Sequence, residues 1–135
     1  MSAEASDDRV AGFTTFRFGD GPELCDRLLG LVIAGQKTAT CGALREFEAD
    51  PESRPAIGRR DIACRWDWTP AVMIETVDVF ECAFRDVPED FALAEGEGTF
   101  AEWRDGHVDY FTRNGGWSED MLLLCERFRV IEVLE

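Results

Sequence analysis

The alternation of apolar and polar positions along the chain predicts several strands. Residues 13–18 alternate in part, and residues 61–66 and 71–84 form two runs that meet around a Trp-Thr-Pro turn. The second of these runs is rich in β-branched residues, which are typical of strands. Residues 38–44 also have strand-like character, and a long apolar run at 121–133 closes the chain. We therefore expect a mixed sheet of about six strands.

Spacings of three and four residues between apolar positions predict three helices. The first begins at Pro22, which suits the first helical position, and Gly35 supplies its stop. A short helix follows at 88–94. Thr99 and Glu102 have the spacing of a capping box at the start of the third helix.

The order β, α, several β, α, α, β indicates an α+β fold, a small mixed β-barrel with helices packed at its openings. Residues 48–54 are polar, with prolines nearby, and predict a surface loop. We expect a single domain at 13–135, preceded by a flexible acidic tail at 1–12. The longest apolar stretch, residues 28–34, is far too short to span a bilayer. The N-terminal residues lack the basic and apolar regions of a signal peptide, so we expect a cytoplasmic protein without a membrane partner.

Cysteine and histidine usage argues against a metal site. The chain has five cysteines at wide spacings, no CxxC pair and one histidine. We therefore expect no metal, no cofactor and no disulfide framework. Cys41 directly follows a Lys-Thr-Ala-Thr run, and for this thiol both a core position and a place near a site are open.

Charge limits the kind of partner. The chain has 28 acidic and 14 basic residues, a formal net charge of −14. Binding of nucleic acids draws on Lys and Arg side chains that neutralise phosphates, so this balance favours a small neutral substrate. The best basic cluster, formed by Arg54, Arg59, Arg60 and Arg65, has acidic neighbours and makes a weak phosphate track. RNA stays possible as a partner, and the oligomeric state is left open.

The 14 basic residues include a single lysine, Lys37, in the run Gly35-Gln36-Lys37-Thr38-Ala39-Thr40. A buried lysine can lose its proton whereas an arginine cannot, so lysine is the residue that serves as a general base. A threonine hydroxyl becomes a nucleophile when a base takes its proton. In a regular strand, however, residues 37 and 40 point to opposite faces. Lys37 and Thr40 can meet only if the chain turns or bulges between them.

Four segments together resemble the ASCH-domain family. They are the Lys-Thr-Ala-Thr run, Glu95-Gly96-Glu97-Gly98, Trp103-Arg104 followed by His107, and Cys125-Glu126-Arg127-Phe128. The resemblance runs from about residue 13 to 133. It implies a PUA-like β-barrel and an association with RNA.

Small bacterial members of this family hydrolyse the amide of acetylated cytidine. The resemblance implies the same hydrolase activity here, on a nucleoside of the N4-acetylcytidine type, without a metal. It carries the catalytic roles to Lys37, Thr40 and Glu97, with Glu97 either orienting Lys37 or accepting an N–H from the cytosine ring. We further assign substrate binding to four neighbouring residues, Thr38, Glu95, Trp103 and His107. The alternative is an RNA-binding module or a ribonuclease, as other members suggest.

Overall fold

The structure, a computed structural model, describes residues 10–135. Its strands are β1 (Thr14–Phe16), β2 (Ala39–Ala43), β3 (Arg60–Cys64), β4 (Pro70–Ala83) and β5 (Leu122–Val133). They form one sheet in the order β1-β3-β4-β5-β2, which curls into a half-barrel. The pair β1–β3 is parallel and the other three pairs are antiparallel. The expected mixed sheet is confirmed, with five strands in the described residues where about six were expected.

The helices are α1 (Pro22–Ile33), α2 (Leu44–Ala49), α3 (Glu89–Ala94) and α4 (Phe100–Arg113), and two short 3-10 helices occupy Pro51–Ser53 and Phe84–Asp86. The three predicted helices correspond to α1, α3 and α4. The segment at 48–54 is different, because it contains the end of α2 and a 3-10 turn instead of a plain loop. Only Leu44 of α2 is buried, so this six-residue helix lacks the apolar periodicity that would predict it.

Apolar residues gather in two main clusters. One surrounds the buried face of α1 and includes Phe18 and Phe128. The other surrounds α3 and α4 and includes Phe91 and Trp103. The loops that follow α1 and α3 contact each other, since the Thr38 N–H donates to the Ala94 carbonyl at 2.8 Å.

The loop after α1 is fixed by the way in which the helix ends. Gly35 has a φ of +81°, the left-handed conformation that glycine adopts without strain. Its N–H donates to the Val32 carbonyl at 3.0 Å, and the next N–H, that of Gln36, donates to Leu31 at 2.9 Å. This pair of bonds is a Schellman motif. The Lys37 N–H also donates to the Leu31 carbonyl at 3.1 Å, so Lys37 is held against the helix end.

The predicted tail at 1–12 lies mostly outside the described residues, because only residues 10–12 of it fall within them. Val10 packs against the cluster of Ile62, Cys64 and Met73. Within residues 10–135, no helix has the length and apolar character needed to cross a membrane.

Candidate functional site

The turn between α3 and α4 packs directly on the backbone of the loop after α1. The Thr38 N–H donates to the Ala94 carbonyl at 2.8 Å. Gly96 has a φ of +77°, and a Cβ added there would lie 2.5 Å from the Gln36 carbonyl oxygen. Only glycine therefore allows this approach. It brings the carboxylates of Glu95 and Glu97 to Lys37.

Lys37 is the centre of the site, since its side chain is only 1% exposed. Its Nζ lies 3.1 Å from Glu95 Oε1 and 3.8 Å from Glu97 Oε2. It also lies 5.8 Å from the centroid of the Phe18 ring. A buried charge is tolerated only when it is paired, and the two carboxylates supply that pairing. The two carboxylates and the Lys37 ammonium therefore form one ion-pair cluster.

Glu95 is also 1% exposed and is surrounded by hydrogen-bond donors. Besides Lys37, the Trp103 indole Nε1–H donates to its Oε2 at 2.9 Å, and His107 Nε2 lies 3.5 Å from its Oε1. Burial alone would raise the pKa of Glu95. The Lys37 charge, with the His107 and Trp103 hydrogen bonds, outweighs burial and lowers the pKa to about 2. Glu95 is therefore a charged carboxylate whose oxygens are already engaged.

His107 bridges the Trp103 backbone and Glu95. Its Nδ1 lies 2.8 Å from the Trp103 carbonyl oxygen, which can only accept, and its ring stacks on the indole with centroids 4.5 Å apart. Its Nε2 faces a carboxylate, which also only accepts. Burial lowers the pKa of His107, but the hydrogen bond and charge of Glu95 outweigh burial and raise it. Protons on both nitrogens satisfy both contacts, so the geometry favours an imidazolium.

A cavity of about 210 Å³ lies over this cluster, and we call it the Lys37 lobe. Five of the residues predicted from the sequence line it, namely Lys37, Thr40, Glu95, Glu97 and His107. Strand β2 begins at Ala39, so Lys37 precedes the regular strand and the alternation of faces does not separate it from Thr40.

Two further residues that we had assigned to substrate binding lie outside the lining of the Lys37 lobe. The Thr38 side chain is exposed, and its hydroxyl lies 3.5 Å from the Ala94 carbonyl oxygen. Trp103 is 2% exposed and stands behind Glu95, between Phe84 and His107 in a row of stacked rings. Both residues contact the backbone or side chains that hold the site.

Cys41 lines the Lys37 lobe beside Glu95 and His107. Each of the three offers one ligand atom, and these atoms lie within 4.8 Å of one another, as a metal site requires. The Lys37 ammonium, however, already lies 3.1 Å from Glu95, and a divalent cation would meet this charge at short range. Burial first, and then the Glu95 charge, raise the pKa of the Cys41 thiol well above its ordinary value. A neutral thiol beside a lysine-paired carboxylate is a poor donor set for a metal.

A second cavity of about 350 Å³ adjoins the first, and we call it the Glu126 lobe. Glu126 lies directly opposite Thr40 in the β2–β5 pair, so both side chains are on the same face of the sheet. The Thr76 hydroxyl donates to Glu126 Oε2 at 2.6 Å. Burial raises the pKa of Glu126 to about 6. The sequence motif at 125–128 contains Glu126, but nothing in the sequence gives the strand register that sets it opposite Thr40.

The four arginines that the sequence indicates as the best candidates for phosphate binding already form ion pairs within the protein. Arg54 pairs with Glu81, Arg59 with Asp61 at 2.8 Å, Arg60 with Glu75 at 3.0 Å, and Arg65 with Glu135 and with Asp26 at 3.1 Å. Each guanidinium therefore meets a carboxylate of the protein itself. These arginines do not form an open positive surface.

The fold and the site together define a class, an α+β half-barrel with a buried Lys-Glu pair under a small cleft. The chain belongs to the ASCH domain family, whose model matches residues 14–132. The family expected from the sequence motifs is thereby confirmed.

Solved structures agree with this assignment. The chain is similar to a protein of Enterococcus faecalis, with 33% identity and a TM-score of 0.81 over 89% of this chain and 77% of that one. It is also similar to an ASCH domain from Lactobacillus crispatus, with 31% identity and a TM-score of 0.80 over 96% and 86% of the two chains. An ASCH protein from Zymomonas mobilis shares the fold alone, with 10% identity and a TM-score of 0.53 over 91% and 71%. The expected PUA-like fold is thus confirmed. The comparison with curated proteins gives no match.

Proposed function

We propose that this protein is a metal-independent amidohydrolase that removes the acyl group from an N4-acylated cytidine. The observation that carries the proposal is the Lys37 lobe, where a fully buried lysine and two carboxylates share one small cavity with a threonine hydroxyl. The resemblance of the Lys-Thr-Ala-Thr and Glu-Gly-Glu segments to family members that act on acetylated cytidine supports the same reaction.

Thr40 is the nucleophile in this proposal, and it needs a group to take its proton. The sequence alone suggested Lys37 for that task. The carboxylates at 3.1 and 3.8 Å engage the Lys37 Nζ in ion pairs, and a paired ammonium has no lone pair with which to accept a proton. We therefore assign proton transfer to Glu97, whose side chain is 17% exposed and lines the cavity. Lys37 supplies a fixed positive charge to the oxyanion of the tetrahedral intermediate.

The reaction then runs in two balanced steps. The Thr40 oxygen bonds to the acyl carbon while Glu97 takes the hydroxyl proton, and Glu97 returns that proton to N4 as the carbon–nitrogen bond breaks. Cytidine leaves, and an acyl ester remains on Thr40. Water attacks the ester while Glu97 takes one of its protons, and Glu97 returns that proton to the Thr40 oxygen as the ester bond breaks. The carboxylic acid is released, and the Thr40 hydroxyl and the Glu97 carboxylate are regenerated.

Glu95 is a positioning residue in this scheme. Its oxygens are held by Trp103 and His107 and in turn hold the Lys37 ammonium. Oxyanion stabilisation is strong when the donor is fixed before the charge develops. A single rotamer of a long lysine side chain, fixed by a buried carboxylate, meets that condition.

The test is the incubation of purified protein with N4-acetylcytidine, with cytidine and acetate measured by chromatography. We expect both products in equal amounts, at a rate that a metal chelator leaves unchanged and that varies little between low and physiological salt. The same protein is titrated with single-stranded RNA over that range of salt. No acetate release, together with RNA binding that weakens steeply as salt rises, would assign the protein to nucleic-acid binding instead.

A further inference from the structure

We infer that the Glu126 lobe binds the ribose of the substrate and selects an uncharged nucleoside over a nucleotide. This inference rests on the proposed function, because it concerns the part of the same substrate that lies beyond the reacting amide. Apart from Thr40, which lines both lobes, the scheme for hydrolysis uses no residue of this lobe.

The two lobes adjoin and share part of their lining. Six residues contribute to the lining of both lobes, namely Phe18, Gly19, Thr40, Cys41, Gly42 and Tyr110. The Lys37 lobe alone, at about 210 Å³, is smaller than the ~300–1,000 Å³ typical of small-molecule sites. Joined to the Glu126 lobe of about 350 Å³, it falls within that range. A ring held at the Lys37 lobe therefore has room for its substituent in the Glu126 lobe.

The Glu126 lobe contains carboxylates that can accept hydrogen bonds from a substrate. Glu126 and Asp61 both line it, and Asp61 is only 7% exposed. The Thr76 hydroxyl occupies one oxygen of Glu126, and a carboxylate has capacity to accept further bonds. Ribose presents neighbouring hydroxyl groups, which are donors. Carboxylates that accept from such a diol satisfy both partners, whereas an apolar substituent would leave the remaining lone pairs of the carboxylates without donors.

The charges that line the Glu126 lobe favour a nucleoside over a nucleotide. The lining includes four acidic residues, Asp50, Glu52, Asp61 and Glu126. Its two arginines are already engaged. Arg17 lies 3.7 Å from the ring centroid of Trp66 and donates to the Trp66 carbonyl at 2.7 Å. Arg59 donates to Asp61 and to the carbonyls of Glu52 and Arg54. A phosphate would meet four acidic residues against two arginines, one of which, Arg59, is already ion-paired with Asp61.

The experiment compares kcat/KM for four substrates, namely N4-acetylcytosine, N4-acetylcytidine, N4-acetyl-2′-deoxycytidine and N4-acetylcytidine 5′-monophosphate. We expect the wild type to prefer the ribonucleoside at least tenfold over the free base and over the monophosphate, with the deoxynucleoside between. Glu126→Gln should reduce the preference for the nucleoside over the base by about tenfold. Because both substrates share the same reacting amide, this ratio removes any effect of the variant on chemistry. The control Glu132→Gln, an exposed position on the same strand, should keep the wild-type ratio.

Three results would overturn the inference, namely equal kcat/KM for base and nucleoside, a monophosphate as good as the nucleoside, or an unchanged ratio in Glu126→Gln. If none of the four compounds is hydrolysed, the proposed function fails. The lobe is then tested separately by calorimetric binding of cytidine and cytidine 5′-monophosphate. Cytidine should bind at least tenfold more tightly than its monophosphate, and less tightly to Glu126→Gln. Equal binding would contradict the ribose site.

Discussion

Glu95 and Glu126 are two largely buried glutamates in one cleft, and their pKa values move in opposite directions. Burial disfavours the charged form of both. Glu95 meets the Lys37 ammonium and the His107 ring, which hold its pKa at about 2. Glu126 meets mainly the Thr76 hydroxyl and has Asp61 nearby, so burial dominates and its pKa rises to about 6. The partners of each carboxylate, more than its depth, decide the direction of its pKa shift.

The difference divides the cleft into two parts with separate tasks. In the Lys37 lobe, opposite charges fix one another and provide a preorganised site for chemistry. In the Glu126 lobe, four acidic residues outnumber two arginines, so they provide hydrogen-bond acceptors and disfavour anions. Variants in the first lobe should therefore change kcat, and variants in the second should change the choice of substrate.

Among the variants of charged residues and glycines, the largest effect is expected from Glu97→Gln. The amide keeps the size of the side chain but cannot take a proton from Thr40, so kcat should fall by about 10²–10⁴-fold. Steady-state hydrolysis of N4-acetylcytidine measures this, with Glu48→Gln, an exposed position on α2, as the matched control. A Glu97→Gln enzyme with the wild-type kcat would remove the proton-transfer role from this residue.

Glu95→Gln should mainly lower the free energy of unfolding. Breaking a buried ion pair leaves Lys37 with weaker compensation and costs about 3–5 kcal/mol, which urea denaturation near pH 7 measures. The folded-state pKa of Glu95, about 2, lies below its unfolded value of 4.5. The stability that the charged carboxylate contributes is therefore fully present above pH 4.5 and is lost as the pH falls towards 2. The gap between wild type and variant should therefore narrow from about pH 4 towards pH 2. A difference in unfolding free energy that stays constant over this pH range would show that loss of the Glu95–Lys37 ion pair does not cause the destabilisation.

Gly96→Ala tests whether the two loops must meet at backbone distance. The added Cβ would lie 2.5 Å from the Gln36 carbonyl oxygen, and the φ of +77° is unfavourable for alanine. We expect a loss of about 2–4 kcal/mol in unfolding free energy. Gly35→Ala is the matched control, because its φ of +81° is similar but no atom lies within 4 Å. It should lose only about 1–2 kcal/mol. Equal losses in both variants would show that strain at φ, not the close approach, explains the glycine.

Glu126→Gln should stabilise the protein at neutral pH by about 2 kcal/mol. The pKa of Glu126 is raised from 4.5 to about 6 in the folded state, so the wild type loses stability as pH rises through this interval. The neutral amide has no such loss. Thermal or urea unfolding at pH 4 and at pH 7.5 should show no difference at the lower pH and the full difference at the higher one. A variant that is less stable than the wild type at pH 7.5 would contradict the raised pKa.

Much of the fold could be predicted because local signals agreed with the tertiary structure. The third predicted helix begins at the capping box of Thr99 and Glu102. The first ends before Gly35, which adopts the left-handed conformation typical of a helix end. Helix α2 could not be predicted, since only one of its six side chains is buried and the segment shows no helical periodicity of apolar residues.

The candidate site was predicted in composition but not in arrangement. The motifs supplied Lys37, Thr40 and Glu97, which lie around one cavity. They could not show that Glu95 holds the closer contact to Lys37, because that depends on the Gly96 turn packing on Gln36. They also gave no role to Glu126, whose place opposite Thr40 depends on the register of two strands about 80 residues apart.

The measurement that tests the central claim most directly is acetate release from N4-acetylcytidine by Thr40→Ala, together with its calorimetric affinity for the same compound. Removing the nucleophile should lower the rate of release by at least about 10³-fold. The dissociation constant should stay within a few-fold of the wild-type value, because the hydroxyl forms the new bond and contributes little to recognition. Release by Thr40→Ala at a rate close to that of the wild type would contradict the account.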